Sequence, residues 1–155
     1  MFYNKDWDVI YEGYHRDTGC VDFPESQWEE WYANWIGQEL ERFFAYVRRT
    51  SDGAWIGTVS FRYSPQDDWW EMSIVLYAPY HGMGYAVPAL KLMLHHAFDV
   101  CKISRIHNDF ELCQKEESAW KTHFAVVFQE ISREDGWLTV MMTREQWLQK
   151  KAELK

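Results

Sequence analysis

Between an apolar run at residues 72–77 and an amphipathic run at residues 89–98, the chain reads Tyr80-His81-Gly82-Met83-Gly84-Tyr85-Ala86-Val87-Pro88. This order predicts a strand, a glycine turn and a helix. Glycines at such a turn permit positive φ angles and let the backbone approach a ligand closely. The first turn of the helix offers unpaired N–H groups and the positive end of its dipole to an anion. The stretch therefore predicts a phosphate-binding turn, with an ordinary tight turn as the alternative.

The chain before the glycine turn has the pattern of an antiparallel meander. Three strand-like runs follow one another, and the middle one alternates between two faces with period two. Asp-Gly and proline-containing connections, which are typical of hairpins, join them. The three runs occupy residues 42–49, 55–63 and 69–77. Ahead of them we expect a strand at residues 7–14 and, behind a capping box at Ser26–Glu29, a helix at residues 28–36.

The chain after the glycine turn alternates between helical and extended patterns. An Asp135-Gly136 pair marks a hairpin, and a capping box at Thr143–Gln146 opens a final short helix. The patterns before them predict a helix over residues 89–98, a strand over 103–110, a helix over 115–126, and strands over 128–132 and 137–142. The element order is thus β-α-β-β-β-α-β-α-β-β-α. Because no linker or repeat divides the sequence, we expect one domain spanning residues 1–155.

The composition is that of a folded, acidic protein. The 155 residues are 47% hydrophobic and 26% charged, and the formal net charge is −8. No basic stripe is visible, so we expect no nucleic-acid partner. An acidic surface favours a cationic substrate such as an amine, or only keeps the protein in solution. Three scattered cysteines, no signal pattern and no apolar run long enough to span a membrane predict a cytoplasmic location.

The element order and the glycine motif together resemble the GCN5-related N-acetyltransferase (GNAT) superfamily, most closely the bacterial (Rim-type) acetyltransferases that modify ribosomal proteins. The family motif Arg/Gln-x-x-Gly-x-Gly/Ala falls on His81–Ala86, with histidine in the first place. The family stretch Glu-Ile-Gly-Tyr falls on Glu71–Ile74, and a later one ending in Gly-Phe falls on Val127-Phe128. The resemblance implies an α+β fold: a central mixed, mostly antiparallel, twisted sheet of six to seven strands flanked by helices.

The resemblance also implies acetyl-CoA (coenzyme A) as the cosubstrate, with no metal. His81, a weaker and pH-dependent cation compared with arginine, would lie beside the diphosphate. The backbone N–H groups that would hold the diphosphate belong to Gly82, Met83, Gly84, Tyr85 and Ala86. Backbone groups of Ile74 and Leu76 would pair with the pantetheine arm in the manner of an added partial strand.

Three side chains are candidates for proton transfer. Glu71 lies on the strand before the motif, where relatives place a carboxylate, and would accept the amine proton through a water; its alternative role is to pair with an arginine. His123 falls where the family carries a tyrosine that protonates the departing thiol, or else is a packing residue. Asp109, beside Asn108 at the end of the fifth strand, is a reserve candidate for base or amine recognition. The other histidines, His107 among them, are expected to be ordinary.

The sequence therefore predicts an N-acetyltransferase that transfers an acetyl group directly to a primary amine of a small molecule or a protein amino terminus. The alternative is a non-catalytic acyl-CoA-binding or protein-interaction module, because the arginine, asparagine and tyrosine of the family are replaced. Tryptophans in the helix at residues 28–36 would fill the core or shape the acceptor pocket. An exposed tryptophan patch would also suit a homodimer.

Overall fold

A computed structural model gives the structure of the chain and describes residues 2–3, 14–15, 20–21, 25–27, 29–30, 33, 41–111 and 128–152. Near the amino terminus three two-residue strands pair antiparallel in the order β1-β3-β2. They are β1 (Phe2–Tyr3), β2 (Tyr14–His15) and β3 (Cys20–Val21). Of the strand expected at residues 7–14, only Tyr14 is described, and it begins β2. Of the helix expected at residues 28–36, Glu29, Glu30 and Ala33 are described and are helical.

The main feature of the fold is a mixed sheet of six strands. They lie side by side in the order β4-β5-β6-β7-β9-β8, and every neighbouring pair is antiparallel except β6 and β7. The strands are β4 (Arg42–Arg48), β5 (Trp55–Ser64), β6 (Trp69–Leu76), β7 (Arg105–Glu111), β8 (Gln129–Glu134) and β9 (Trp137–Thr143). The expected α+β fold with a mixed, mostly antiparallel sheet is confirmed, and its strand number lies within the expected range.

Turn chemistry explains the hairpins of this sheet. Between β4 and β5, Asp52 accepts a hydrogen bond from the N–H of Ala54, and Gly53 adopts a φ of 77°. Between β8 and β9, Asp135 and Gly136 adopt φ angles of 51° and 82°, as a two-residue primed turn requires. Asp-Gly therefore forms the β8–β9 turn that the sequence predicts, and the meander of β4, β5 and β6 is confirmed.

Besides the helical residues Glu29, Glu30 and Ala33, the described part of the chain has two α-helices. The first, α1 (Ala86–His95), continues into a π-helical turn at His96–Val100, which the helical pattern alone does not distinguish. The second, α2 (Arg144–Lys150), begins with the predicted capping box, in which Thr143 and Gln146 bond each other's backbone N–H. The helix expected at residues 115–126 lies outside the described residues. No described helix is long and apolar enough to cross a membrane.

The hydrophobic core lies between α1 and one face of the sheet. Burying these apolar side chains is the main favourable term in folding, and α1 is held over β5 and β6 as a result. The buried residues of this cluster are Val59, Phe61, Met72, Ala89, Leu90, Met93, Leu94, Ala97, Phe98, Ile103, Ile106, Phe128, Leu138, Val140, Met142 and Trp147. This packing fixes the start of α1 directly beyond the end of β6, where the glycine turn lies.

Candidate active site

The glycine turn is an open backbone surface at the end of β6. A short 3-10 turn at Ala78–Tyr80 leads into it, Gly82 and Gly84 have φ angles of 71° and 80°, and α1 starts at Ala86. A Cβ placed on either glycine would meet no heavy atom within 4 Å. No side chain caps the first turn of α1 at its N-cap, Tyr85. Exposed N–H groups, glycine conformations and open space together fit a phosphate group.

Pro88 falls in the first turn of α1, as the sequence predicts. Its missing N–H costs little there, because the N–H groups of the first turn have no carbonyl partner within the helix. The proline ring therefore does not break the helix. The first bond within the helix runs from the N–H of Ala89 to the carbonyl of Tyr85 at 3.1 Å.

His81 is turned back onto the strand. Its Nε2 lies 2.7 Å from the carbonyl oxygen of Leu76. A carbonyl can only accept, so Nε2 carries the proton and donates this bond. In this position the imidazole closes the turn onto the end of β6, and the role of His81 beside the diphosphate stays a prediction.

β6 and β7 separate beyond their first residues. Their parallel ladder has only two registered pairs, Trp70 with Ile106 and Glu71 with His107. The N–H of Tyr77 bonds the carbonyl of Ile56 in β5, so the Leu76 carbonyl of the same trans peptide points away from β5. By alternation along the strand, the backbone groups of Ile74 and Leu76 face the gap beside β7. The predicted pantetheine-binding groups therefore border an opening in the sheet.

Two of the predicted acid–base residues border one depression on the sheet. Its volume is about 520 Å³, and its walls are Glu71, Asn108, Asp109, Trp137 and Thr139. The structure thus brings Glu71 and Asp109 together, as the sequence suggested. A second depression of equal volume lies at the amino-terminal ends of β6 and β7, away from the glycine turn, and none of the predicted site residues lines it.

Both carboxylates in the depression have polar partners. Arg62 Nε donates to Glu71 Oε2 at 2.8 Å, and its Nη2 lies 2.6 Å from the same oxygen. The Thr139 hydroxyl donates to Asp109 Oδ1 at 2.6 Å. Glu71 therefore has the arginine partner that was the alternative to a catalytic role, although an ion-paired carboxylate can still accept a proton. Among described residues, no three His, Cys, Asp or Glu side chains are grouped as metal ligands.

His107, expected to be ordinary, is buried in the structure. It is 4% exposed, and its ring stacks on Trp69 with centroids 4.3 Å apart. Its Nδ1 is buried without a hydrogen-bond partner among the described residues. Burial lowers the pKa of His107; the positive charge of Arg105 lowers it further, and Asp109 opposes both. The period-two pattern of β7 could have indicated this residue, because it places His107 on the same face as Asp109.

The remaining predicted residues are not all described. His123, the predicted proton donor to the departing thiol, lies outside the described residues. So do the tryptophans expected to border the acceptor cleft. The candidate site therefore consists of the glycine turn, the gap between β6 and β7, and the depression lined by Glu71 and Asp109.

Comparisons with known proteins agree with this architecture. A family model described as the acetyltransferase (GNAT) domain matches residues 1–117. We found no curated protein similar in sequence to the chain. Among solved structures, a nucleotide-linked sugar GNAT, FdhC, superposes with a TM-score of 0.70 at 18% identity over 86% of this chain and 75% of that one. The spermidine/spermine N-acetyltransferase SpeG from Vibrio cholerae superposes with a TM-score of 0.66 at 15% identity over 81% and 78%.

Proposed function

Because the chain belongs to the acetyltransferase (GNAT) family, we propose that it is an N-acetyltransferase that uses acetyl-CoA to acetylate a primary amine. The observation that carries this proposal is the open glycine turn at Gly82 and Gly84, placed between the gap beside β6 and the start of α1. A turn that served only to reverse the chain would not need two positive-φ glycines facing open space before an uncapped helix.

The residues of the turn would bind the diphosphate of the cosubstrate through their backbone. The N–H groups of residues 82–86 are the donors, and the dipole of α1 adds a favourable field for the negative charge. The backbone groups of Ile74 and Leu76 would hold the pantetheine arm along β6. The Leu76 carbonyl has two lone pairs, so it can accept a bond from the arm while it accepts the bond from His81. When bound, acetyl-CoA supplies the thioester whose acetyl group is transferred.

The depression beside the gap would receive the amine. Glu71 is the proposed base: it accepts the proton of the amine through a water, while its ion pair with Arg62 fixes the position of the carboxylate. Asp109, oriented by Thr139, is the reserve candidate for base or amine recognition. His123 remains the predicted proton donor to the departing thiol.

The acceptor proposed here is cationic. Two carboxylates and the half-exposed indole of Trp137 line the depression, and carboxylates and aromatic faces both attract ammonium groups. SpeG is a spermidine/spermine N-acetyltransferase by its title, and FdhC a nucleotide-linked sugar GNAT. A polyamine-like amine is therefore the first acceptor to test. A protein amino terminus, implied by the resemblance to Rim-type enzymes, is the second.

The second candidate function is a non-catalytic acyl-CoA-binding module. It is favoured by two contacts, because His81 is bonded to Leu76 and Glu71 to Arg62 in the structure. The His81 and Glu71 side chains would then have structural roles only. The two candidates differ in turnover but share cosubstrate binding.

A thiol-release assay with acetyl-CoA and a panel of amines tests the enzymatic role of Glu71. We expect Glu71→Gln to lower kcat by about 100-fold or more, because an amide cannot accept the amine proton. Glu130→Gln is the matched control, since Glu130 forms an ion pair with Arg133 on the exposed strand β8. Equal activity of the two variants would remove Glu71 from the mechanism. Binding of acetyl-CoA without turnover of any amine would favour the non-catalytic module.

A further inference from the structure

The turn between β4 and β5 carries an arginine that contacts both ends of the glycine turn. Arg49 Nη1 donates to the Tyr85 hydroxyl at 3.4 Å, and its guanidinium carbon lies 5.2 Å from the centre of the Tyr80 ring. Tyr80 directly precedes His81, and Tyr85 directly follows Gly84. The Arg49 cation, which is distant in sequence, thus contacts the tyrosines that flank the predicted phosphate-binding backbone.

The Arg49 guanidinium keeps two N–H donors that its contacts with described residues do not use. Asp52 accepts from Nε at 2.8 Å and also from Nη2, so it occupies one side of the planar group. Tyr80 covers a face of the plane and leaves its edges open. A guanidinium has five N–H donors, and the contacts to described residues use three of them. Of the two that remain, one is on Nη1 and one on Nη2, and the side chain is 26% exposed.

The hairpin itself does not need this side chain. Its turn is closed by backbone bonds from Arg49 N–H to the Ala54 carbonyl at 2.8 Å and from Gly53 N–H to the Arg49 carbonyl at 2.9 Å. A role confined to the hairpin would also leave the contacts with Tyr80 and Tyr85 unexplained. The histidine of the motif, meanwhile, donates its Nε2 proton to Leu76. Arg49 therefore brings a permanently charged side chain to the turn from a different element.

We propose that Arg49 binds the diphosphate of coenzyme A at the glycine turn and supplies a permanent positive charge to it. This proposal rests on the proposed function, because it requires the same ligand at the same turn. A guanidinium edge presents two parallel donors, the geometry that phosphate oxygens accept best. Asp52 and Tyr80 hold the guanidinium in place, which reduces the entropy lost on binding.

Calorimetric titration of the full chain with coenzyme A and with 3′-dephospho-coenzyme A tests this proposal. We expect Arg49→Ala to weaken binding of both ligands by about ten- to hundredfold, because a charge-assisted bond to the shared diphosphate is lost. Arg49→Lys keeps the charge without the two-donor edge and should fall between. Arg48→Ala is the matched control: Arg48 lies 5.6 Å above the Trp55 ring and bonds Gly53, so affinity should change by no more than about twofold.

The Asp52→Ala variant distinguishes a role of the Arg49 cation itself from a role of its ion pair with Asp52. It removes the partner and keeps Arg49. Loss of the neighbouring negative charge favours the diphosphate and looser positioning of the guanidinium opposes it, so we expect affinity for coenzyme A to change by no more than about threefold. A loss equal to that of Arg49→Ala would show that the pair acts only on the hairpin, and would overturn the proposal. Loss of affinity for coenzyme A but not for the dephospho form would place Arg49 at the 3′-phosphate and would also overturn it. If the unmodified protein binds neither ligand, the proposed function itself fails.

Discussion

His107 is held neutral beneath the polar face of the sheet. Glu71 and Met141 are its registered neighbours on β6 and β9, and Trp69 covers its ring. Burial penalises the charged imidazolium, and Arg105 adds to that penalty more than Asp109 relieves it, so the pKa lies below its ordinary value. The orphaned Nδ1 adds a desolvation cost that no described residue repays.

The shifted pKa of His107 predicts a loss of stability in mild acid. The unfolded chain binds this proton more readily than the folded protein, so protonation favours unfolding. The contribution of neutral His107 to the free energy of unfolding is therefore fully present above the unfolded pKa of about 6.5 and declines as the pH falls below it. We expect His107→Phe, which keeps the stacking on Trp69, to raise the free energy of unfolding by about 1 kcal/mol and to flatten this decline.

Urea unfolding of both proteins at pH values from about 7 to about 5 provides the measurement. Identical pH dependence in the wild-type protein and in His107→Phe would show that His107 is not the titrating group. A destabilised variant would instead show that the imidazole has a bonding partner.

At the scale of elements, the glycine turn and the β8–β9 turn offer a matched pair of tests. Gly82 and Gly136 have φ angles of 71° and 82°, and a Cβ at either meets open space. We therefore expect Gly82→Ala and Gly136→Ala to destabilise the protein equally, by about 1–2 kcal/mol, from the left-handed conformation alone. Only Gly82→Ala should weaken coenzyme A binding, because its methyl group enters the space proposed for the diphosphate.

Thermal unfolding and calorimetry on the same two samples give the comparison. If both variants lost affinity equally, the loss would come from global destabilisation. If neither lost affinity, the diphosphate would not approach the backbone at Gly82.

The positions of strands and helices can be predicted from the sequence where periodicity, turn residues or a capping box mark them. Period-two alternation and Asp-Gly turns predict β5, β6, β8 and β9, and the Thr143–Gln146 capping box predicts the start of α2. The π turn at His96–Val100 was not predicted, because its apolar stripe resembles that of an α-helix. The short strands β1 and β3 are also not predicted, since two residues carry no periodicity, and β2 begins at the last residue of the strand expected at residues 7–14.

At the scale of the whole molecule, the parts of the candidate site that sequence did not predict depend on contacts between distant residues. Arg49 meets Tyr85 across 36 positions, and nothing in the local sequence of either residue indicates it. Likewise, Glu71 pairs with Arg62 only because β5 and β6 are in register. The glycine turn was predictable because one contiguous stretch carries both its conformation and its chemistry.

Both proposals for this molecule depend on the glycine turn and on where the fold places it. The core between α1 and the sheet fixes the turn at the end of β6, the gap beside β7 opens next to it, and the depression with Glu71 and Asp109 lies on the same sheet. The proposed reaction and the role of Arg49 both require an anion on this backbone. If no anion binds to the glycine turn, neither the proposed reaction nor the proposed role of Arg49 holds.

Titration of the isotopically labelled protein with coenzyme A, observed through backbone amide NMR signals, tests that requirement most directly. We expect the amide signals of Gly82, Met83, Gly84, Tyr85 and Ala86 to move and to saturate together, while the signal of Gly136 stays in place. Saturable binding that leaves residues 82–86 unmoved, or no binding at all, would contradict the account.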